Sequence, residues 1–170
     1  ILVREAESSD FDAIAALTNE YIVGSTIHFA YEPTSAAAMR DLWRADHTTY
    51  PWLSAWIRDP SSEAPVFAGY AKAAVWRTRA AYHWTVETGL YVAPQLHARG
   101  IGRALYTTLI QSLRERGFHS IVAGITLPNL ASVRLHEACG FVKVGHIRHA
   151  GWKFDAWHDV GFWQLMLQDG

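Results

Sequence analysis

Along residues 11–22 the apolar positions fall at Phe11, Ile14, Leu17, Tyr21 and Ile22, a spacing of three and four that marks one helix face. Ser8, Ser9 and Asp10 precede it as N-cap oxygens, Asp10 the best placed, and Gly24 ends it. Ile1 to Arg4, ahead of it, reads as a short strand. Ser25 to Glu32 breaks the period, so it is a loop or short extended piece. Its Ile27, His28, Phe29 and Tyr31 are bulky enough to serve as a lid over the core or as a pocket wall. Pro33-Thr34-Ser35 restarts a helix through about His47, with Met39, Leu42 and Trp43 on one face.

From Pro51 the pattern changes to strands. Pro51 to Ile57 and Pro65 to Trp76 flank the turn cluster Asp59-Pro60-Ser61-Ser62, which predicts a hairpin. After a basic bend at Arg77-Thr78-Arg79, Tyr82 to Val92 returns as another strand, and Pro94 stops it because proline donates nothing to a sheet ladder. Ile101, Leu105, Leu109 and Leu113 then recur every four residues, an amphipathic helix that Gly117 terminates. Ser120 to Thr126 reads as a buried strand, parallel by strand–helix–strand logic to the one before the helix. Pro128-Asn129 opens a last helix with Val133 and Leu135 inward and Gly140 as its cap, and Phe141–Gly151 and Trp157–Leu167 close the chain as strands. The expected architecture is α/β (α+β): a mixed, mostly antiparallel seven-stranded sheet flanked by about four helices. Without internal repeat or low-complexity linker, residues 1–170 form one domain.

The turn His97-Ala98-Arg99-Gly100-Ile101-Gly102 sits where a strand ends and a helix begins. Helix N-termini leave N–H groups unpaired and carry partial positive charge, so this turn can hold a phosphate or pyrophosphate. Its glycines let the backbone approach a ligand closely, and Arg99 and Arg103 add charge.

Composition narrows the partners. Half of the 170 residues are hydrophobic and 18% are charged, which is globular rather than disordered. A net charge of −1 without a basic block argues against nucleic-acid binding, so an anionic ligand must be met locally. No apolar run approaches the roughly 20 residues needed to span a bilayer, and no signal-peptide pattern is present. Starting at Ile1, the chain is expected to lack a few native residues. The single Cys139 suits a reducing cytoplasm. Eight tryptophans suggest an aromatic-lined pocket, a large interface or dense core packing.

With the glycine turn followed by Leu127-Pro128-Asn129-Leu130-Ala131-Ser132-Val133-Arg134-Leu135-His136-Glu137-Ala138-Cys139-Gly140-Phe141, the chain resembles the GNAT superfamily of N-acetyltransferases. Within it, the phosphinothricin acetyltransferase branch and its amino-acid-acetylating relatives are most similar. The narrower match lies in Ser25-Thr26-Ile27-His28-Phe29 with Glu32-Pro33, in Tyr50-Pro51-Trp52-Leu53, in Ala81-Tyr82-His83-Trp84-Thr85-Val86-Glu87, and in Trp157-His158-Asp159-Val160-Gly161-Phe162-Trp163-Gln164-Leu165. These stretches span nearly the whole chain. Departures are His97 where the turn usually opens with Gln or Arg, His83 where the branch often has Asp, and Ala80 where it has Asn.

The resemblance implies an acetyl-CoA-dependent enzyme acting on the α-amino group of a small glutamate- or methionine-like compound such as phosphinothricin, methionine sulfoximine or methionine sulfone. Acetyl-CoA would be held by Leu90, Tyr91 and Val92, pairing with the pantetheine amides as an added strand. The turn residues His97, Ala98, Arg99, Gly100, Ile101 and Gly102 would hold its pyrophosphate, and Asn129 a pantetheine amide; a helix N-cap is an equally natural role for Asn129. Backbone N–H groups at Tyr91 or Val92 would meet the oxyanion. An α-amino group with pKa about 7.7–8.0 is mostly ammonium at neutral pH, so a base helps. Glu87 stands where the family places its base; by itself it could equally be a strand carboxylate paired with an arginine. His136 takes the position of the thiolate's proton donor, or merely hydrogen-bonds near the cofactor. Arg79 with Tyr82 is the candidate clamp for the acceptor's carboxylate, and Phe29 the pocket aromatic. Arg77 reads as a solvated bend residue and Lys153 as a surface lysine. His158 and Asp159, adjacent on a strand, point to opposite faces and read as structural. A homodimer is expected from the branch, and no metal, since the histidines lack ligand spacing. Other readings are acetylation of a polyamine, aminoglycoside or protein N-terminus, and a non-catalytic acyl-CoA-binding module. A dinucleotide-binding turn is disfavoured because a third glycine is missing.

Overall fold

A computed structural model describes residues 1–168. The strands are β1 (Leu2–Glu5), β2 (Trp52–Ile57), β3 (Val66–Val75), β4 (Thr85–Val92), β5 (Ser120–Leu127), β6 (Val142–Lys153) and β7 (Ala156–Met166). The helices are α1 (Phe11–Gly24), α2 (Ala36–Asp46), α3 (Ile101–Glu115) and α4 (Leu130–Ala138). The strands form one sheet in the order β1-β2-β3-β4-β5-β7-β6, antiparallel throughout except where β5 runs parallel to β4. This is the mixed seven-stranded architecture expected, with four helices.

Side-chain alternation along β4 tells which helix covers which face. Thr88 reaches Tyr106 of α3, and a Cβ on Gly102 of α3 would lie 3.6 Å from Leu90, so the even positions face α3. Tyr91 meets Tyr21 of α1 with ring centroids 5.4 Å apart, so the odd positions face α1. The predicted stripe of α3 is the heart of the core: Ile101, Leu105, Leu109 and Leu113 are all essentially inaccessible. Each such side chain contributes about 1.5–3 kcal/mol by leaving water.

Three local expectations change. Tyr82 to Trp84 are not strand: Ala80–Tyr82 make a 3-10 turn, with Tyr82 N–H donating to the Arg79 carbonyl, and β4 starts at Thr85. Asp10 does not cap α1 with its side chain. Its carboxylate is buried and accepts from the Glu7 N–H (2.9 Å) and from both Arg4 terminal nitrogens (2.7 and 2.8 Å), tying β1 to the start of α1. Burial by itself would raise the Asp10 pKa, but these bonds outweigh it and hold the group below the usual carboxylate range. Lys153 is not a surface lysine. It is 4% exposed, and its Nζ donates to the carbonyls of Ile22, Ser25 and His28 at 2.5, 2.8 and 2.6 Å. The end of β6 thereby anchors the loop between α1 and α2. Sequence alone hides this, because the acceptors are main-chain atoms about 125 residues away.

Among the described residues, no helix is long and apolar enough to cross a membrane, and no group of three or more His, Cys, Asp or Glu side chains is placed to hold a metal ion.

Candidate active site

The parallel pairing of β4 with β5 is short: Thr85 with Ser120, Val86 with Ile121, Glu87 with Val122, and no further. Beyond Glu87 the two strands part, while β4 stays paired to β3 and β5 to β7. The split opens a cavity of about 280 Å³ through the sheet. Because the opening penetrates the sheet, residues from both faces of β4 line it. Glu87, Gly89 and Tyr91 contribute from the α1 side, with Lys72 and Ala74 of β3; Thr88 and Leu90 contribute from the α3 side, with Tyr106, Asn129, Ser132 and His136. Glu87 and His136, far apart in sequence, therefore meet one cavity from opposite faces.

On the α3 side the polar groups form a chain. Burial pushes the His136 pKa down, so its ring is neutral. Its Nδ1 lies 2.7 Å from the Ser132 carbonyl, which can only accept, so Nδ1 carries the hydrogen and Nε2 accepts from the Tyr106 hydroxyl at 2.6 Å. Thr88 Oγ1 stands 3.3 Å from the same hydroxyl. The imidazole thus has no free hydrogen in this arrangement; the hydrogens of the chain that can turn toward the cavity are on hydroxyls. Tyr106 flanks the α3 stripe beside Leu105 and looks like plain core in the sequence, so only its contacts reveal it.

On the α1 side Glu87 is half-buried. Burial raises its pKa, and the nearby Lys72 ammonium partly opposes the rise. No arginine pairs with it among the described residues. Tyr91 is pushed up to about 12, chiefly by burial, and remains a neutral phenol stacked on Tyr70 at 5.2 Å.

At the mouth of the split lies the glycine turn. Ala98 (φ 61°) and Gly100 (φ 79°) are both left-handed, and no side chain caps α3. The first helical bond is Ala104 N–H to the Gly100 carbonyl, 3.0 Å. His97 N–H donates to the Pro94 carbonyl (3.3 Å); among the described residues nothing accepts from the N–H groups of Ala98 to Arg103, and successive unpaired N–H groups in such a bend form an anion-binding concavity. Arg99 and Arg103 are exposed beside it. The two glycines serve different needs. Gly100 has open space around a would-be Cβ and is required by its φ, whereas a Cβ on Gly102 would come within 2.9 Å of Leu135 Cδ2, so Gly102 lets α3 and α4 approach. The His97 ring folds back onto Tyr21 (3.0 Å) and the Val92 carbonyl (3.1 Å), leaving the turn's backbone as the donor surface. Asn129 lines the cavity, yet its Oδ1 accepts from Ser132 N–H at 3.1 Å, so it is the N-cap of α4.

The remaining expected acceptor residues are not gathered here. Phe29 packs over Gly151 and 6.4 Å from the His158 ring, away from the cavity, which the same loop reaches through Ile27 instead. Arg79 and Tyr82 are exposed around the 3-10 turn and do not line the cavity, and Arg77 lies over the neighbouring Trp76 ring at 5.1 Å. His158 donates to the Lys153 carbonyl (2.8 Å) and Asp159 holds His146 Nε2 (2.7 Å), in agreement with structural roles. Conversely, Lys72, Thr88, Tyr106 and Ser132 line the cavity without having been singled out. A lone charge in the apolar run Val66–Val75 was the one available signal for Lys72.

The split between parallel strands opens onto an uncapped helix N-terminus suited to a phosphate-bearing ligand, and the chain belongs to the Acetyltransferase (GNAT) family, matched over residues 12–141. It is 43% identical over 162 residues to a phosphinothricin N-acetyltransferase of Streptomyces viridochromogenes, covering 95% of this chain and 85% of that enzyme. It is 36% identical to the L-amino acid N-acyltransferase MnaT of Escherichia coli, covering 98% and 94%. Among solved structures, a Salmonella typhimurium acetyltransferase with its cofactor acetyl-CoA superposes with a TM-score of 0.91 at 30% identity over 99% of this chain and 95% of that one. A Sinorhizobium meliloti phosphinothricin acetyltransferase in complex with acetyl-CoA gives 0.91 at 29% identity, over 99% and 89%. The protein is an acetyltransferase, with acetyl-CoA as the acyl donor, and the uncapped turn fits the donor's pyrophosphate.

Proposed function

We propose that this enzyme acetylates the α-amino group of a small glutamate- or methionine-like amino acid or analogue, of the kind represented by phosphinothricin, methionine sulfoximine and methionine sulfone. The observation that carries the reading is Glu87 at the point where β4 leaves β5: a carboxylate with a raised pKa and no arginine partner, at the floor of a cavity whose mouth is an anion-binding turn. Acetyl-CoA supplies the acyl group. Leu90 to Val92 and the turn 97–102 hold it, and Glu87 takes the proton from the acceptor's ammonium. On the thiolate side His136 is the proton donor of this reading once its Nε2 gains a proton, and the Tyr106 hydroxyl bonded to that nitrogen holds the ring in place. Phe29, Arg79 and Tyr82 lie outside the cavity, so this reading gives them no direct contact with the acceptor. A cation inside the cavity, Lys72, disfavours a polyamine acceptor.

In this reading residues 1–170 act as one domain, in the cytoplasm, as a homodimer. The outer strand β6 supports the dimer: Val142, Val144, Ile147 and Trp152 are exposed on it, with Trp157 on β7 beside them, and such an apolar edge calls for a cover. The test is free-thiol release from acetyl-CoA across amino acids, amino-acid analogues, polyamines and peptides. Turnover is expected with the amino-acid analogues; turnover confined to polyamines or peptides overturns the reading.

A further inference from the structure

Lys72 is the one cationic side chain lining the cavity among the described residues. It stands in the middle of β3, opposite Gly89, while Ala74 is opposite Glu87, so Lys72 and Glu87 share a sheet face two register positions apart, about 7 Å along the strands. A Cβ on Gly89 would lie 3.5 Å from the Tyr91 ring and 3.9 Å from the Lys72 stem, so both pack over this glycine. The Lys72 ammonium lies 4.6 Å from the Trp52 ring centroid, and among the described residues it makes no ion pair and stays open to water. The side chain lines the cavity, and no protein oxygen takes up its donors among the described residues. Trp52 is itself buried, so the stem is held in place rather than swinging free.

We propose that Lys72 is the specificity-determining residue for the acceptor's side chain, binding a carboxylate or phosphinate oxygen there and so selecting glutamate-like over neutral methionine-like acceptors. This rests on the amino-acid acetyltransferase reading above. The offset from Glu87 sets which anion it reaches. An α-carboxylate shares its carbon with the amine that Glu87 must touch, whereas an acid at the end of the side chain lies further off, at the distance that a cation two register positions along the same sheet face can reach. Burial lowers the Lys72 pKa, while Glu87 and Asp46 sustain its charge. A charge-assisted bond in so enclosed a place distinguishes an acid from a neutral isostere by about tenfold or more.

The test compares kcat/KM for phosphinothricin with that for methionine sulfone, and for glutamate with that for glutamine, in wild type, Lys72→Met and Lys72→Arg. Any effect of Lys72 on Glu87 is shared by both acceptors and cancels in the ratio. The acid-to-neutral ratio is expected to fall about tenfold or more in Lys72→Met and to stay within about threefold of wild type in Lys72→Arg. Acetyl-CoA binding checks folding, and Lys72→Gln replaces Lys72→Met if that variant fails to bind it. An unchanged ratio in the charge-removing variant, with both acceptors still turned over, overturns this inference alone. Wild-type enzyme inactive on every amino acid overturns the function reading, and this inference with it.

Discussion

The two ends of the cleft recognise their ligands by different means. At the mouth, the turn before α3 offers main-chain N–H groups shaped by left-handed backbone, and its side chains stand aside: His97 folds onto Tyr21, and Arg99 and Arg103 are exposed. At the floor, Glu87, Lys72 and the Thr88–Tyr106–His136 chain present side chains to the cavity, each carried by a strand or helix around it. Main-chain recognition tolerates side-chain change but not backbone change; the floor is the reverse.

The most severe test of that contrast is Glu87→Gln. With the base removed, kcat is expected to fall by about 10²–10⁴ while the KM for acetyl-CoA moves little, measured by steady-state thiol release. Comparable losses in both parameters would mean that the floor and the mouth are one unit. The pH profile sharpens the same point. The Glu87 pKa is raised, and the base must be ionised, so kcat/KM should decline on acidification at a pH above the ordinary carboxylate value of about 4.3. Removing the Lys72 charge should move that limb to still higher pH, because the ammonium favours the ionised carboxylate.

Next in size is Gly102→Val. Even a Cβ there comes within 2.9 Å of Leu135 Cδ2, so the branched side chain must displace Leu135, costing about 1–3 kcal/mol and raising the acetyl-CoA KM. Asn129→Ala removes only the α4 cap: about 1 kcal/mol, read as a fall in Tm of about 2–4 °C, with acetyl-CoA KM unchanged if capping is its whole role. A large rise in that KM would give Asn129 a ligand contact as well. The smallest effect is expected from Arg99→Ala, a few-fold weaker acetyl-CoA binding that disappears as salt screens the exposed charge.

Periodicity and turn chemistry were sufficient for the elements. The four-residue recurrence from Ile101 to Leu113, the helix restart at Pro33-Thr34-Ser35, and Gly117 and Gly140 as helix ends are local signals, and helix and turn preferences act over a few residues. The parallel placement of β5 beside β4 followed from the handedness of a strand–helix–strand unit. Local pattern could not say that Ala80–Tyr82 would coil before β4, because β-rich composition there was overridden by a bend that brings Trp84 to the start of β5. Nor could it find Lys153, whose partners are carbonyl oxygens of a distant loop.

The glycine turn and the helix start at Asn129 were legible in the sequence alone, because each is a contiguous pattern tied to one helix start, whereas Glu87 and His136 were picked out only through the family resemblance. What only the tertiary structure decided is where β4 and β5 separate. That separation is a property of two strands 35 residues apart, Thr85 and Ser120 being their first pair. It turns the alternating faces of β4 into two walls of one cavity, and so brings Lys72, Tyr106 and His136 to Glu87.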